Sequence, residues 1–173
     1  MKKLDSEKTI LLVIGGITLL VVIAIVIFSF NEQKQTKGTA DVVTYTQNQS
    51  DRPKVTVSDK SYDLGKMKVK DEKTAEFTLE NTGNKTLQLY KISSSCDCTF
   101  GQVEIEGNKS PEFSMHASGS WTGNIEPGKK AKLSVIYRPS IMPVSGIVTR
   151  DVYVQTNDPE NPKLTFTVKA DVE

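Results

Sequence analysis

Two cysteines one residue apart are the residues of this chain best suited to chemistry. Cys96 and Cys98 are its only thiols and stand in "SSSCDCTFG", Ser93 to Gly101. On a β-strand, residues i and i+2 face the same side with Cα atoms about 6.5–7 Å apart. Disulfides usually span about 4.4–6.8 Å between Cα atoms, so a bridge here requires a kinked backbone. A bridge held under such constraint reduces readily, which suits thiol exchange. An unbridged pair instead makes a two-thiolate claw for a soft ion, Cu(I) or zinc. A third reading needs no chemistry: free cysteine packs as a small hydrophobe, and Asp97 caps a turn.

An ion held by two thiolates needs one or two further ligands. The following stretch, "GQVEIEGNKSPEFSMHASGSWTGN", supplies Met115 and His116, the latter the only histidine of the chain. Met142, in "RPSIMPVSG", is another soft donor. The candidate metal set is therefore Cys96, Cys98, Met115 and His116, with Met142 as an added member and Cu(I) or zinc as the cofactor. The ordinary alternative is a surface histidine beside a methionine that fills the core. Phe113 and Trp121 are expected to anchor this stretch rather than bind a ligand. Catalysis finds little support. Negative charge raises a thiol pKa, and the flanks here are serines and Asp97. Glycine-rich phosphate loops and a serine nucleophile elbow are absent from the sequence. The chain is not expected to be an enzyme.

The elements that must position these residues are strands. Apolar side chains alternate with a period of two between turn signals, the mark of half-buried β-structure. Val55 and Val57 begin a run to Gly65. Ala75, Phe77 and Leu79 alternate into an Asn-Thr-Gly turn, and "LQLYKI" (Leu87 to Ile92) follows. Leu133, Val135 and Tyr137 share one face, as do Val152 with Val154, and Leu164, Phe166, Val168, Ala170 and Val172. A further strand is expected near Ser120 to Ile125. Pro127-Gly128, Asn157-Asp158-Pro159 and Asn161-Pro162 supply turns, since proline removes a ladder donor and restricts its predecessor. About seven such strands predict an all-β, immunoglobulin-like sandwich over 54–173, with an inserted loop at about 101–123.

The N-terminal part is different. Ile10 to Phe30 is 21 residues without a charge. As a helix rising about 1.5 Å per residue it spans the roughly 30 Å hydrocarbon core of a bilayer. It exceeds the roughly 7–15 apolar residues of a cleaved signal, so 10–30 reads as an uncleaved, single-pass signal anchor. Lys2, Lys3 and Lys8 precede it and Lys34 and Lys37 follow, which places residues 1–9 in the cytoplasm and the C-terminal domain outside. Residues 31–53 are mostly polar and are expected to form a flexible linker. From Asp51 onward basic and acidic side chains balance at 17 each, and no basic cluster offers a grip on nucleic acid. The expected partners are a lipid bilayer through 10–30 and an unidentified protein.

Three stretches carry a family resemblance: "YDLGKMKVKDEKTAEFTLENTGNKTLQLYKISSSCDCTF", "IEPGKKAKLSVIYRP" and "YVQTNDPENPKLTFTVKADV". Their order resembles the bacterial family called domain of unknown function 1573, a Hydin-related immunoglobulin-like module often carried behind a membrane anchor. Asp97 stands where that pattern commonly has glycine, and about twenty extra residues separate Cys98 from the Pro-Gly turn. The resemblance implies the sandwich fold and no established activity. Together these readings predict a membrane-anchored, extracytoplasmic binding or envelope-assembly module. The alternative is a soft-metal or thiol-redox protein built on the Cys-x-Cys motif.

Overall fold

Period-two alternation interrupted by turns produces ten strands among the described residues. The computed structural model describes Gly16, Leu19, residues 42–116 and residues 120–173. The strands are β1 (Val55–Val57), β2 (Ser61–Met67), β3 (Lys73–Asn81), β4 (Leu87–Ser94), β5 (Thr99–Ile105), β6 (Asn108–Lys109), β7 (Thr122–Ile125), β8 (Lys130–Tyr137), β9 (Gly146–Thr156) and β10 (Lys163–Val172). One sheet has the order β1-β3-β8-β5-β6 and the other β2-β10-β9-β4-β7. All pairs are antiparallel except β2 with β10. The result is an all-β sandwich of two five-stranded sheets.

The core is made by the alternating positions. Leu79, Leu133, Val135, Val152, Val154 and Phe166 are fully buried. Phe77 and Phe166 meet across the two sheets with ring centroids 5.1 Å apart. Burying one such side chain is worth about 1.5–3 kcal/mol, so the facing rows supply the main cohesion. The Pro127-Gly128 turn closes with Lys129 N donating to Glu126 O at 2.9 Å. Gly128 there has φ +75°, the left-handed conformation that glycine adopts without steric cost.

Three expectations change. The run from Val55 to Gly65 is two strands: β1 pairs with β3 in one sheet, and β2 crosses to the other beside β10. The expected loop over 101–123 opens with most of β5, which pairs with β8 along its whole length, from Thr99–Tyr137 to Ile105–Ala131. Its inward positions are Thr99, Gly101 and Val103, too small and polar to announce a core strand. Gly101 has a packing reason. A Cβ there would lie 2.7 Å from Val152 Cγ1 and 3.0 Å from Ile92 Cγ2. The remainder of that stretch is anchored as expected: Phe113 bridges to Gly101, and its ring lies 5.7 Å from that of Trp121.

The expected linker over 31–53 also differs where it is described. Residues 42–53 lie along the sandwich, with Val43 N donating to Gln88 Oε1 at 2.8 Å and Asn84 Nδ2 to Asp51 Oδ1 at 2.7 Å. Pro53 is buried. Gly16 and Leu19 are helical, and the rest of the expected span over 10–30 lies outside the described residues, as do 1–9 and 31–41. Among the described residues no helix is long and apolar enough to cross a membrane.

Candidate functional site

The two cysteines sit in the turn between β4 and β5 and are joined by a disulfide. Their Cα atoms are 5.3 Å apart, inside the usual range, because the chain leaves the extended conformation at Ser95 to Cys98. Local bonds shape this kink. Ser94 Oγ donates to Cys96 O at 2.6 Å, and Thr99 N donates to the same carbonyl at 3.3 Å. Arg138 N donates to Cys98 O at 2.8 Å and ties the turn to the end of β8. Thr99 Oγ1 lies 3.3 Å from Cys96 Sγ and 3.8 Å from Cys98 Sγ. Cys98 is wholly buried, while Cys96 keeps 7% exposure.

The other candidate ligands are exposed side chains. His116 Nε2 is 3.6 Å from Asp97 Oδ2, and its side chain is 78% exposed. Met115 and Met142 are both exposed. No group of three or more histidine, cysteine or acidic side chains arranged for a metal occurs among the described residues. A bridged sulfur offers no thiolate, so Cu(I) or zinc binding through Cys96 and Cys98 belongs to the reduced pair.

Arg138 knots this end together. Its guanidinium pairs with Glu112 at 2.5 and 3.0 Å, also binds Glu72, and stacks 4.7 Å from the centroid of the Phe100 ring. Hydrogen bonding to Arg138 holds the Glu112 carboxyl below its ordinary pKa, and the two glutamates raise that of Arg138. The segment bearing Met115 and the turn Pro139–Ile141 are thereby fixed beside the disulfide, with Met115, Ile141 and Met142 exposed.

A second basic group faces inward. Arg150 shares the strand parity of Val152 and Val154, and its guanidinium lies 5.9 Å from the centroid of the Tyr137 ring. Tyr137 is completely buried, and burial raises its hydroxyl pKa against the opposing influence of Arg150. Tyr137 Oη and Arg150 Nε are both buried without a hydrogen-bond partner among the described residues. Tyr137 stands directly opposite Thr99 in the β8–β5 ladder. Sequence reasoning missed Arg150. The signal available was its parity with two core valines, two and four residues away.

The polar motifs at the opposite end are structural clamps. Asn81, fully buried, donates through Nδ2 to Lys85 O and Ile125 O at 2.8 Å each, and accepts from Gly83 N at 3.0 Å. Gly83 must be small, because a Cβ would lie 2.4 Å from Arg52 O. Asp158, also fully buried, accepts from Val55 N, Glu160 N and Asn161 Nδ2 at 3.0 Å each, and pairs with Arg52 at 3.4 Å. Asn157 Oδ1 accepts from Gln88 N at 2.8 Å. These side chains satisfy backbone groups where strands end, which buried polar groups require. They are occupied by the fold itself.

Comparison with known proteins agrees with this architecture. No curated protein matches the chain. Among solved structures, a protein of unknown function from Porphyromonas gingivalis W83 is similar at 17% identity and a TM-score of 0.55, over 72% of this chain and 50% of that one. The chain therefore spans about half the length of that structure. The ASH/PapD-like domain 7 of human CEP192 aligns at 16% identity and a TM-score of 0.48, over 78% of this chain and 94% of that one. The model of the HYDIN/CFA65/VesB-like, Ig-like domain matches residues 53–171, which agrees with the Hydin relation read from the motifs. That match takes in the whole sandwich apart from its last residues, and the chain belongs to the HYDIN/CFA65/VesB-like family of immunoglobulin-like domains.

Proposed function

We propose that this chain is a non-catalytic binding or assembly module, held on the outer side of a membrane by residues 10–30. One observation carries the binding part. At the end of the sandwich that holds the disulfide, Arg138 fixes two segments in place, and three apolar side chains there, Met115, Ile141 and Met142, remain exposed. Grouped apolar side chains on a rigid support favour a protein contact, because the ordering cost of binding is already met. The polar motifs at the other end are consumed in holding strands together and leave few groups to recognise a partner. Placement outside the membrane rests on the uncharged run of 21 residues and the lysines that precede it.

The test is site-directed photo-crosslinking in membranes that contain the full chain. A photo-reactive residue at 115, 141 or 142 should give discrete protein adducts. The same probe at Glu76 or Thr78, on the outer face of β3, should give few. Equal labelling at both sets would remove the support for this reading.

A further inference from the structure

We propose that a cleft beside Trp121 binds one hexopyranose unit of a neutral saccharide. The cleft lies at the Ile105 end of β5, away from the disulfide turn that precedes Thr99, and does not depend on the binding role above. Its volume is about 240 Å³. β6 ends one sheet and β7 ends the other, and the cleft draws residues from both. Trp121 forms its aromatic wall. The indole is half-buried and packs against the core, as does Ile105. A Cβ at Gly123 would lie 2.4 Å from Trp121 Cη2 and 2.7 Å from Ile105 Cδ1, so the indole lies across β7 where a side chain is missing. The Phe113 ring, 5.7 Å away and tilted by 49°, holds it from another side. Trp121 thus anchors its segment and lines the cleft in one set position.

The rim is polar and equally fixed. Ile105 pairs with Asn108, so Glu106 and Gly107 form a two-residue turn between β5 and β6. Both have positive φ, 49° and 83°, the conformation that matches the twist of a tight hairpin. Gly107 adopts it without steric cost, whereas Glu106 is strained there. Asn108 and Lys109 are exposed on β6, and Asn124 is exposed on β7. Asn124 is only weakly held, by a long bond of 3.4 Å from Gln88 Nε2 to its Oδ1. Glu106 Oε1 lies 3.9 Å from Lys129 Nζ, a loose and exposed pair. Asn81 and Asn157, by contrast, are spent on backbone groups at short distances.

This combination selects a ligand class. A pyranose ring carries C–H groups on one face and hydroxyls around its edge. The C–H face can cover an indole, and each hydroxyl both donates and accepts, as the amides of Asn108 and Asn124 do. An anion fits poorly, because the Lys109 ammonium shares the rim with the Glu106 carboxylate. A wholly apolar ligand would strip water from the amides without returning hydrogen bonds. Drug-sized ligands occupy about 300–1,000 Å³, so this cleft suits a single ring. Its walls come from paired strands and a tight turn, so little has to be ordered when the ligand arrives.

Trp121 is the only tryptophan of the chain, so its fluorescence reports on the cleft directly. The full chain, in a detergent without a sugar headgroup, is titrated with linear tetrasaccharides of glucose, of mannose and of N-acetylglucosamine. At least one should shift the emission saturably, with half-saturation near about 1 mM. The shift should be the same at low and high salt, since the ligand is neutral. Sorbitol, which has the hydroxyls but no ring face, should give none. Asn108→Ala and Asn124→Ala, both at exposed positions, should each raise half-saturation about three- to tenfold. By calorimetry, Trp121→Phe should keep binding and Trp121→Ala should lose it. Should Trp121→Ala fail to fold, the asparagine variants and sorbitol still decide. No saturable shift with any of the three saccharides, an equal response to sorbitol, or asparagine variants that bind as wild type overturns the proposal. So does an extended apolar hexapeptide that saturates the same shift at lower concentration, which would make this a peptide site.

Discussion

Replacing Asn81 by alanine removes the most heavily used side chain at the clamped end of the sandwich. Three of its bonds are short: Nδ2 to Lys85 O and to Ile125 O at 2.8 Å, and Gly83 N to Oδ1 at 3.0 Å. A fourth, from Lys54 N at 3.4 Å, is weak. Each good bond contributes about 1 kcal/mol net, and leaving a buried partner unsatisfied costs at least as much. Asn81→Ala should therefore lose about 3 kcal/mol, a large share of the roughly 5–15 kcal/mol of a typical domain. A sandwich of this size loses about 3–5 °C in Tm per kcal/mol, so the expected drop is about 10–15 °C. Asn81→Asp is informative beside it. It keeps an acceptor for Gly83 N but presents oxygens to two carbonyls, so it should be at least as damaging at neutral pH. Thermal melts followed by near-UV circular dichroism, with exposed Thr78→Ala as control, give the comparison. A loss below about 1 kcal/mol for Asn81→Ala would refute the clamp.

Other consequences follow from the same contacts. Gly101→Ala places a methyl group 2.7 Å from Val152 Cγ1 and should cost about 1–3 kcal/mol, with part regained in the double variant with Val152→Ala. Additive losses in urea melts would contradict that close approach. Glu112 has its pKa lowered by Arg138, so the pair adds stability above about pH 4.5 and loses it as the pH falls through the lower folded value. The Tm difference between wild type and Glu112→Gln should accordingly shrink in acid, and a difference that grows there would reverse the sign. Cysteine-dependent uptake of Cu(I) or zinc should require prior reduction of the pair. Uptake by the oxidised chain that disappears in Cys96→Ser, measured by elemental analysis, would contradict this.

Strands with large inward side chains were legible in the sequence, and those without them were not. β3, β8 and β10 present rows such as Ala75-Phe77-Leu79 and Leu164-Phe166-Val168, which repeat every second residue and are buried as expected. β5 hides its period behind Thr99 and Gly101, because what packs there is the side chain of Val152 reaching over a glycine. The Val55 to Gly65 run shows continuous strand character, yet it changes sheet between Val57 and Ser61. That switch is set by which neighbours have free edges, a long-range property. The packing of residues 42–53 likewise depends on Gln88, some 45 residues away. At the site, the spacing of Cys96 and Cys98 raised the question of a kink, but the groups around it come from β8 and β9. Arg150 reads in the sequence as an ordinary surface charge, yet its guanidinium lies 5.9 Å from the centroid of the buried Tyr137 ring.

On the function proposed above, an immunoglobulin-like domain is tethered to a membrane and displayed outside it. Protease added to cells with an intact cytoplasmic membrane, and an outer barrier opened where one exists, tests this directly. Mass spectrometry should recover released peptides from 54–173 while residues 1–9 stay protected with the membrane fraction. Protection of the sandwich until the membrane is lysed, or its recovery in the soluble fraction without proteolysis, would contradict the claim.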